Sequence, residues 1–140
     1  MKKQLSKVEK FHEMFKLGIE KKPVADLEEN RSELRYDLMK EENEEYLDAV
    51  KDKNIVEVAD ALGDMLYILC GTIIEHGMAS LIEKVFDEIH ESNMSKLGEN
   101  GKPIYREDGK VMKGPNYFNP DISKIIELNC KIYLPKMDSH

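Results

Sequence analysis

Apolar residues recur along most of the chain with the 3.6-residue period of amphipathic α-helices. Asn54, a residue type favoured at helix N-termini, precedes the most apolar segment, and Gly77 follows that segment as a typical C-terminal residue. The pattern predicts four main helices. They run from about Lys3 to Leu17, from Asp26 or Asn30 to about Val50, from just after Asn54 to Glu75, and from about Ala79 to Lys96.

The pattern changes after Lys96, because repeated glycines and prolines at 98–121 nearly exclude helix there. A tight turn at 107–110 between two short extended pieces fits this stretch, and a last short helix is expected at 123–128. We expect an all-α fold, a bundle of four to five helices with a long C-terminal loop, completed by oligomerisation. The expected domain covers residues 1–121, and a short helix and tail follow at 122–140.

Carboxylates occupy positions on the second predicted helix where apolar residues are expected. Leu34 and Leu38 define the core-facing stripe, and steps of four and three residues continue it to Glu42, Glu45 and Ala49. An acid in an apolar setting is costly unless a partner compensates its charge. The sequence therefore predicts a compensated acidic site on this helix.

The third predicted helix is apolar at nearly every position except Glu57, Asp60 and Asp64, which share one face. Two antiparallel helices with such faces would bring several carboxylates together. Like charges at that range raise each other's pKa unless a cation intervenes. A hard divalent ion with oxygen ligands resolves the repulsion, so we expect Mg²⁺, with Mn²⁺ as the alternative.

Composition narrows the classes of function. The chain has 140 residues, enough for one ordinary domain, and 41% of them are hydrophobic. A formal net charge of −7 argues against general nucleic-acid binding. Acids interrupt the apolar stretch at 55–74, so no membrane span is expected, and Cys70 within it is expected in the core. The basic N-terminus lacks the apolar run of a signal peptide, and we expect a cytoplasmic protein.

Several segments together resemble a known signature. Glu41-Glu42-Asn43-Glu44-Glu45 followed by Glu57-Val58-Ala59-Asp60 resembles the EExxE…ExxD motif of the all-α NTP pyrophosphohydrolase superfamily, the MazG-like group. Ser92-Asn93-Met94-Ser95-Lys96 is similar to its phosphate-contacting element. The stretch from Asp108 to Pro115 resembles the tail of a subgroup related to dUTPases and phosphoribosyl-ATP pyrophosphohydrolases.

The resemblance implies hydrolysis of a nucleoside triphosphate between its α and β phosphates, and the subgroup favours dUTP or another non-standard nucleotide. The attacking water would give its proton to a carboxylate, for which Glu41 is the candidate. The partners expected are the nucleotide and further copies of the chain, as a homodimer or homotetramer, with no nucleic acid and no membrane. The implied Mg²⁺ ligands are Glu42, Glu45, Glu57 and Asp60, with Asp64 as an additional or neighbouring group.

Charge that develops on the leaving pyrophosphate needs cations and other donors, and the base needs a ring on which to stack. The candidates for binding substrate are Asn93, Lys96, Lys113, Arg35, Arg106, Lys110 and Tyr117, with Phe118 as the alternative to Tyr117.

Two other readings remain open at the level of sequence. Glu9-x-x-His12 and Asp87-x-x-His90 have the spacing with which four-helix di-iron proteins bind metal, although interior histidines show the same pattern. A non-catalytic helical module, in which the acids flank a dimer seam, would also give these patterns. Such a module would gain no stability from Mg²⁺, whereas a protein that binds the ion only when folded must gain it.

Overall fold

The computed structural model describes residues 1–130, and this part of the chain forms five α-helices and one isolated β-bridge. The expectation of an all-α fold is confirmed. Residues 131–140, which hold most of the predicted tail, and the side chain of Cys130 lie outside the description. The helices are α1 (Lys2–Met14), α2 (Arg31–Lys51), α3 (Ile55–Glu75), α4 (Ile82–Met94) and α5 (Ile122–Cys130).

The contacts divide the chain into two compact units, Met1–Ser80 and a second unit that begins at Leu81. The division falls just before α4, and the boundary expected after Asp121 lies inside the second unit. Within the described residues, each helix is either too short or too polar to cross a membrane.

α3 begins and ends where local chemistry predicts. The Asn54 side chain accepts hydrogen bonds from the backbone amides of Val56 and Glu57, at 3.1 and 3.2 Å. Gly77 follows the last turn with a φ of 69°, in the left-handed region that favours glycine. Both predictions are confirmed, and they set the length of the helix that carries three of the candidate acids.

The first unit is built on α3, which α1 and α2 both contact. α1 buries Leu5, Val8 and His12. On α2 the predicted stripe is confirmed at Ala49, which is buried, and at Leu38 and Glu42, which are half-buried. It is wrong at Glu45, which is exposed, and at Leu34, which is 42% exposed. The neighbour of Leu34, Arg35, is buried instead, and its guanidinium donates to acceptors on α3.

The connection between α1 and α2 wraps the C-terminal end of α3. The backbone amide of Glu20 donates to the Ile74 carbonyl at 3.2 Å, and that of Val24 donates to the His76 carbonyl at 3.0 Å. α1 ends at Met14, earlier than predicted, because the chain must turn back to make these bonds.

In the second unit α4 is shorter than predicted at both ends, and α5 is longer. The expected turn at 107–110 is present, with an antiparallel bridge between Tyr105 and Val111 closing it. Asp121 caps α5, since its side chain accepts hydrogen bonds from the Ser123 hydroxyl and the Lys124 backbone amide at 2.9 and 3.2 Å.

Candidate functional site

Carboxylates from α2 and α3 meet at Glu42. The Glu42 side chain is partly exposed, but its Oε2 atom is enclosed and has no hydrogen-bond partner among the described residues. Burial, followed by repulsion from Glu45 and Asp64, raises the pKa of the Glu42 carboxyl. Glu41 adds a smaller repulsion of the same kind. We call Glu41, Glu42, Glu45 and Asp64 the acidic cluster.

The remaining predicted ligands lie beside this cluster on α3. Glu57 and Asp60 are exposed, and they share a helix face with Asp64 through their spacing of seven and four residues. Within residues 1–130, no three acidic, histidine or cysteine side chains stand close enough together to hold a metal ion. The acids of the cluster are near enough to repel the Glu42 charge, but their side chains are not gathered into a ligand set, and Glu57 and Asp60 are exposed on the neighbouring turns.

The acidic cluster has the chemistry of a site for a hard divalent cation. Its donors are carboxylate oxygens alone, the type that Mg²⁺ and Mn²⁺ prefer. The enclosed Oε2 atom of Glu42 has free lone pairs, and its neighbouring charges have the same sign. A bound dication would satisfy these lone pairs and cancel the repulsion, so the residues present fit the metal.

The C-terminal end of α3 holds a buried acid of another kind. Glu75 is 2% exposed, and its Oε1 atom lies 2.6 Å from Nη2 of Arg31 and 2.8 Å from Nε of the same residue. Its Oε2 atom accepts no hydrogen bond but lies 3.2 Å from Arg35 Nε. Two arginines therefore balance the charge of this carboxylate.

Arg35, a candidate for binding pyrophosphate, is occupied inside the first unit. Its Nη2 donates to the Ile68 carbonyl at 2.7 Å, and its Nε donates to the Thr72 hydroxyl at 3.0 Å. Burial lowers the pKa of Arg35, and the nearby Glu75 carboxylate opposes that effect. The Arg35 guanidinium therefore holds α2 against α3 and is not available to bind substrate, so this predicted role is wrong.

Sequence reasoning missed Glu75 and Arg31, although a signal was present. Glu75 ends the most apolar segment of the chain, where an acid calls for a partner, and Arg31 and Arg35 lie four residues apart. Glu75 and Arg31 also line a cavity of about 410 Å³ between the α1–α2 connection and α3. Other residues that line it include Lys16, Leu17 and Glu28.

In the second unit the loop after α4 gathers part of the predicted phosphate-binding set. The backbone amide of Gly114 donates to the Lys96 carbonyl at 2.9 Å, which places Lys113 near Lys96 along the backbone. The Lys113 ammonium lies 4.5 Å from the centre of the Tyr117 ring. These three predicted residues are thus neighbours.

Two serines of the Ser92–Lys96 motif, to which the sequence analysis gave no role of their own, hold this loop on α4. The Ser92 hydroxyl donates to the Phe118 carbonyl at 2.8 Å, and the Phe118 backbone amide donates to the Ser95 hydroxyl at 3.2 Å. Their spacing of three residues on the last turns of α4 was the available signal.

The other candidates of the second unit stand apart from this group. Arg106 forms an ion pair with Asp108, and the backbone amide of Lys110 donates to Asp108 at 3.1 Å. The Arg106 side chain therefore packs against the turn at 107–110, whereas Lys110 contributes its backbone amide to that turn. Asn93 is exposed on the last turn of α4.

The structure argues against Glu9 and His12 as a pair of ligands in a di-iron site. His12 is 2% exposed, and its Nδ1 lies 2.9 Å from the Gly18 carbonyl, which accepts the ring proton. Glu9 lies 2.9 Å from Lys21, with which it forms a surface ion pair. His12 is an interior histidine, the ordinary explanation of its pattern. Asp87 and His90 are exposed on α4.

Comparisons with known proteins agree with this architecture. A crystal structure of a provisionally assigned NTP pyrophosphohydrolase from Exiguobacterium sp. 255-15 aligns with a TM-score of 0.53 at 24% identity, over 94% of this chain and 98% of that one, which establishes the fold alone. An uncharacterized protein of Acanthamoeba polyphaga mimivirus is 32% identical over 97 residues. That alignment covers 67% of this chain but 35% of the viral protein, so the chain spans about a third of this relative's length.

The model of the phosphoribosyl-ATP pyrophosphohydrolase family matches residues 8–93, a range that contains α2, α3, the acidic cluster and all of α4 except its last residue. This is more than half of the chain. The family and fold predicted from the carboxylate motifs are confirmed, and the chain belongs to the phosphoribosyl-ATP pyrophosphohydrolase family, within the MazG-like all-α pyrophosphohydrolases.

Proposed function

We propose that this protein is a Mg²⁺-dependent nucleoside triphosphate pyrophosphohydrolase that releases a nucleoside monophosphate and pyrophosphate. The observation that carries the proposal is the enclosed Glu42 carboxylate among acids of the same sign. Such an arrangement is unfavourable in the free protein and becomes favourable once a dication is bound. Family membership supplies the class of reaction.

In this proposal Glu42, Glu45 and Asp64 hold the metal, and Glu57 and Asp60 complete the set from the neighbouring turns of α3. A bound Mg²⁺ supplies electrostatic stabilisation of phosphate oxygens and a lowered pKa for a water molecule. Glu41 is exposed at the edge of the acidic cluster, where it can accept the proton of a water that attacks the α-phosphorus.

For the candidates in the second unit, we propose a different role, which is to bind the phosphates of the substrate. Lys96 and Lys113 carry the positive charge that a leaving pyrophosphate requires, and Asn93 can donate a hydrogen bond from its amide. Arg106 is a secondary candidate, because Asp108 already engages its guanidinium. Lys110 donates only its backbone amide to Asp108, so its ammonium is a further candidate for phosphate.

The direct test is to incubate the protein with a panel of nucleoside triphosphates and Mg²⁺ in water enriched in the heavy oxygen isotope. Attack at the α-phosphorus places the label in the nucleoside monophosphate and leaves pyrophosphate unlabelled. Orthophosphate as the first product, or label in pyrophosphate, would contradict the proposal. The panel includes dUTP, which the subgroup resemblance favours, beside dCTP and the common nucleotides.

The matched pair of variants is Glu42→Gln and Glu44→Gln. Both residues lie on α2, but Glu44 is exposed and outside the acidic cluster. Loss of turnover in Glu42→Gln alone supports the assignment of the metal site. Equal turnover in both variants would remove it.

We further propose that two copies associate through α3, as a homodimer or as half of a homotetramer. Leu62, Leu66 and Leu69 are each 42–50% exposed, and their spacing puts them on the side of α3 opposite the acids. A leucine stripe of this kind is typical of an interface between helices. Sedimentation of the wild type against Leu66→Glu tests the assignment, which predicts a lower mass for the variant.

A further inference from the structure

The ring of Tyr117 carries a cation in the second unit. The Lys113 ammonium lies over this ring, 4.5 Å from its centre, which is within the range of a cation–π contact. On sequence alone the ring is a candidate for stacking on the base, but one of its faces is occupied by the lysine. The ring therefore has a role inside the protein before any ligand binds.

The Tyr117 ring is anchored at both of its ends. Its hydroxyl donates to Oδ1 of Asn119 at 3.1 Å, and its backbone amide donates to the Gly114 carbonyl at 3.2 Å. The next residue, Phe118, is held on α4 by the buried Ser92, whose hydroxyl donates to the Phe118 carbonyl at 2.8 Å. A ring fixed in this way can hold the flexible side chain of a lysine in one place.

A glycine brings Lys113 to the end of α4. The backbone amide of Gly114 donates to the Lys96 carbonyl at 2.9 Å. A Cβ atom built on Gly114 would collide with the backbone carbonyl oxygens of Lys96 and Leu97, so a larger residue requires a shift of the backbone. Lys96 and Lys113 are therefore brought together by a close approach that a glycine permits.

The charges of these two lysines are not balanced from within the chain. Neither Lys96 nor Lys113 forms an ion pair with an acid among residues 1–130. Arg106 in the same loop is different, because Asp108 already balances its charge. An aromatic ring attracts an ammonium through its quadrupole and brings no negative charge of its own. Lys113 is thus held in place without being neutralised.

We propose that Tyr117 is a positioning residue for Lys113, whose ammonium it holds so that Lys113 and Lys96 bind the leaving pyrophosphate together. This inference rests on the proposed function, which assigns both lysines to phosphate, and it gives Tyr117 a role that does not involve the base. Two unpaired ammonium groups suit an anion that carries charge on both of its phosphoryl groups. A lysine already held by a ring also loses less side-chain freedom when the anion binds.

The test uses inorganic pyrophosphate, which has no base on which a ring could stack. Titration calorimetry with the full chain is run in EDTA, so that the lysines are measured apart from the metal, and is repeated in Mg²⁺. Tyr117→Leu should weaken the binding of pyrophosphate by about 2- to 5-fold, which corresponds to an exposed cation–π contact. Tyr117→Phe keeps the ring and should retain most of the affinity.

A double-mutant cycle with Lys113→Met separates positioning from direct contact. Lys113→Met should weaken the binding of pyrophosphate. Adding Tyr117→Leu to it should then have no further effect, because the ring acts only through the lysine. Phe86→Leu is the matched control, since it removes an aromatic ring that is 66% exposed on α4, and it should leave the binding unchanged.

Gly114→Ala is an independent probe of the same arrangement. The added methyl group forces the loop away from the Lys96 and Leu97 carbonyls without touching either ammonium group. The variant should weaken the binding of pyrophosphate, with unchanged helical circular dichroism.

Three results would overturn the inference. They are absence of pyrophosphate binding at millimolar concentration in both EDTA and Mg²⁺, equal binding by the wild type and Tyr117→Leu, or an effect of Tyr117→Leu that persists in Lys113→Met. Binding is measured at equilibrium, so ring-dependent binding without hydrolysis of any nucleotide would contradict the proposed function and not this inference. Hydrolysis with ring-independent binding of pyrophosphate would contradict this inference alone.

Discussion

Two positions along the α2–α3 pair place acids where water is partly excluded, and the surrounding residues treat those acids in opposite ways. At the C-terminal end of α3, Glu75 is fully buried between Arg31 and Arg35, which balance its charge from within the chain. Midway along both helices, Glu42 is partly enclosed among acids of the same sign. The first position is balanced as folded, whereas we propose that a cation from solution balances the second.

The difference separates structure from function on the same two helices. A balanced buried ion pair holds helices in register but offers no free coordination. An unbalanced acidic cluster costs stability, and proteins retain such a cost where binding or catalysis uses it. The comparison predicts that substitutions at Glu75 and its partners change stability, whereas substitutions in the acidic cluster change activity.

The largest effect is expected for Glu42→Gln. Loss of one carboxylate from the metal site should lower turnover by at least ~100-fold, since even groups that only support metal ligands contribute up to that factor. The same substitution should raise the melting temperature of the metal-free protein, because it removes a charge that burial and its neighbours oppose. If the variant lost both activity and metal-free stability, Glu42 would be a structural residue, as Glu75 is, and the assignment to the metal site would be contradicted.

Arg35→Met should act in the opposite sense, through stability. It leaves Glu75 buried with one partner fewer, which costs about 3–5 kcal/mol in comparable buried pairs. Urea unfolding measures this loss, and Lys21→Met in the surface pair with Glu9 is the control, with an expected cost below about 1 kcal/mol. The double variant Arg35→Met with Glu75→Leu should recover much of the loss, and failure to recover it would show that the pair does more than balance charge.

Gly71→Ala tests the close packing around Arg35, one of the two arginines that balance Glu75. A Cβ atom there would lie 2.5 Å from Arg35 Nη2 and 2.7 Å from His12 Nε2, so the neighbours must shift. We expect a loss of about 1–3 kcal/mol in the free energy of unfolding. Gly63→Ala on the same helix has open space instead and should gain up to about 1 kcal/mol from helix propensity. Equal effects at both glycines would argue against the tight junction at Gly71.

The smallest effect concerns pH and the metal-free protein. The pKa of Glu42 is raised in the folded state, so the folded protein binds a proton more tightly than the unfolded chain does. The associated stability is fully present below the ordinary pKa of 4.5 and is lost as pH rises through the higher folded value. In EDTA, Glu42→Gln should flatten this part of the stability profile. An unchanged profile would contradict the assignment of the shift to Glu42.

The parts that the sequence predicted depend on local chemistry. The Asn54 cap, the glycine after α3 and the turn at 107–110 each follow from a few adjacent residues. Glu42 was predicted from a helical period, which also needs only its own helix. These features can therefore be predicted without any knowledge of the tertiary structure.

The parts that the sequence missed depend on partners far away in the chain. Arg35 replaces Leu34 in the interior because Ile68 and Thr72 on α3 present acceptors to it. The hydrophobic period of α2 alone cannot predict acceptors that lie on another helix. Likewise, His12 is an interior residue whose ring bonds the Gly18 carbonyl, and this contact forms only because the chain turns back after α1. Helix ends moved by a few residues for the same reason.

The central claim is that the acidic cluster requires a dication, and thermal melting tests it most directly. Wild type, Glu42→Gln and Glu44→Gln are melted in EDTA and in increasing Mg²⁺ or Mn²⁺. We predict that the metal raises the melting temperature of the wild type and of Glu44→Gln, and leaves Glu42→Gln unchanged. A shift of equal size in all three proteins, or no shift in the wild type, would contradict the account.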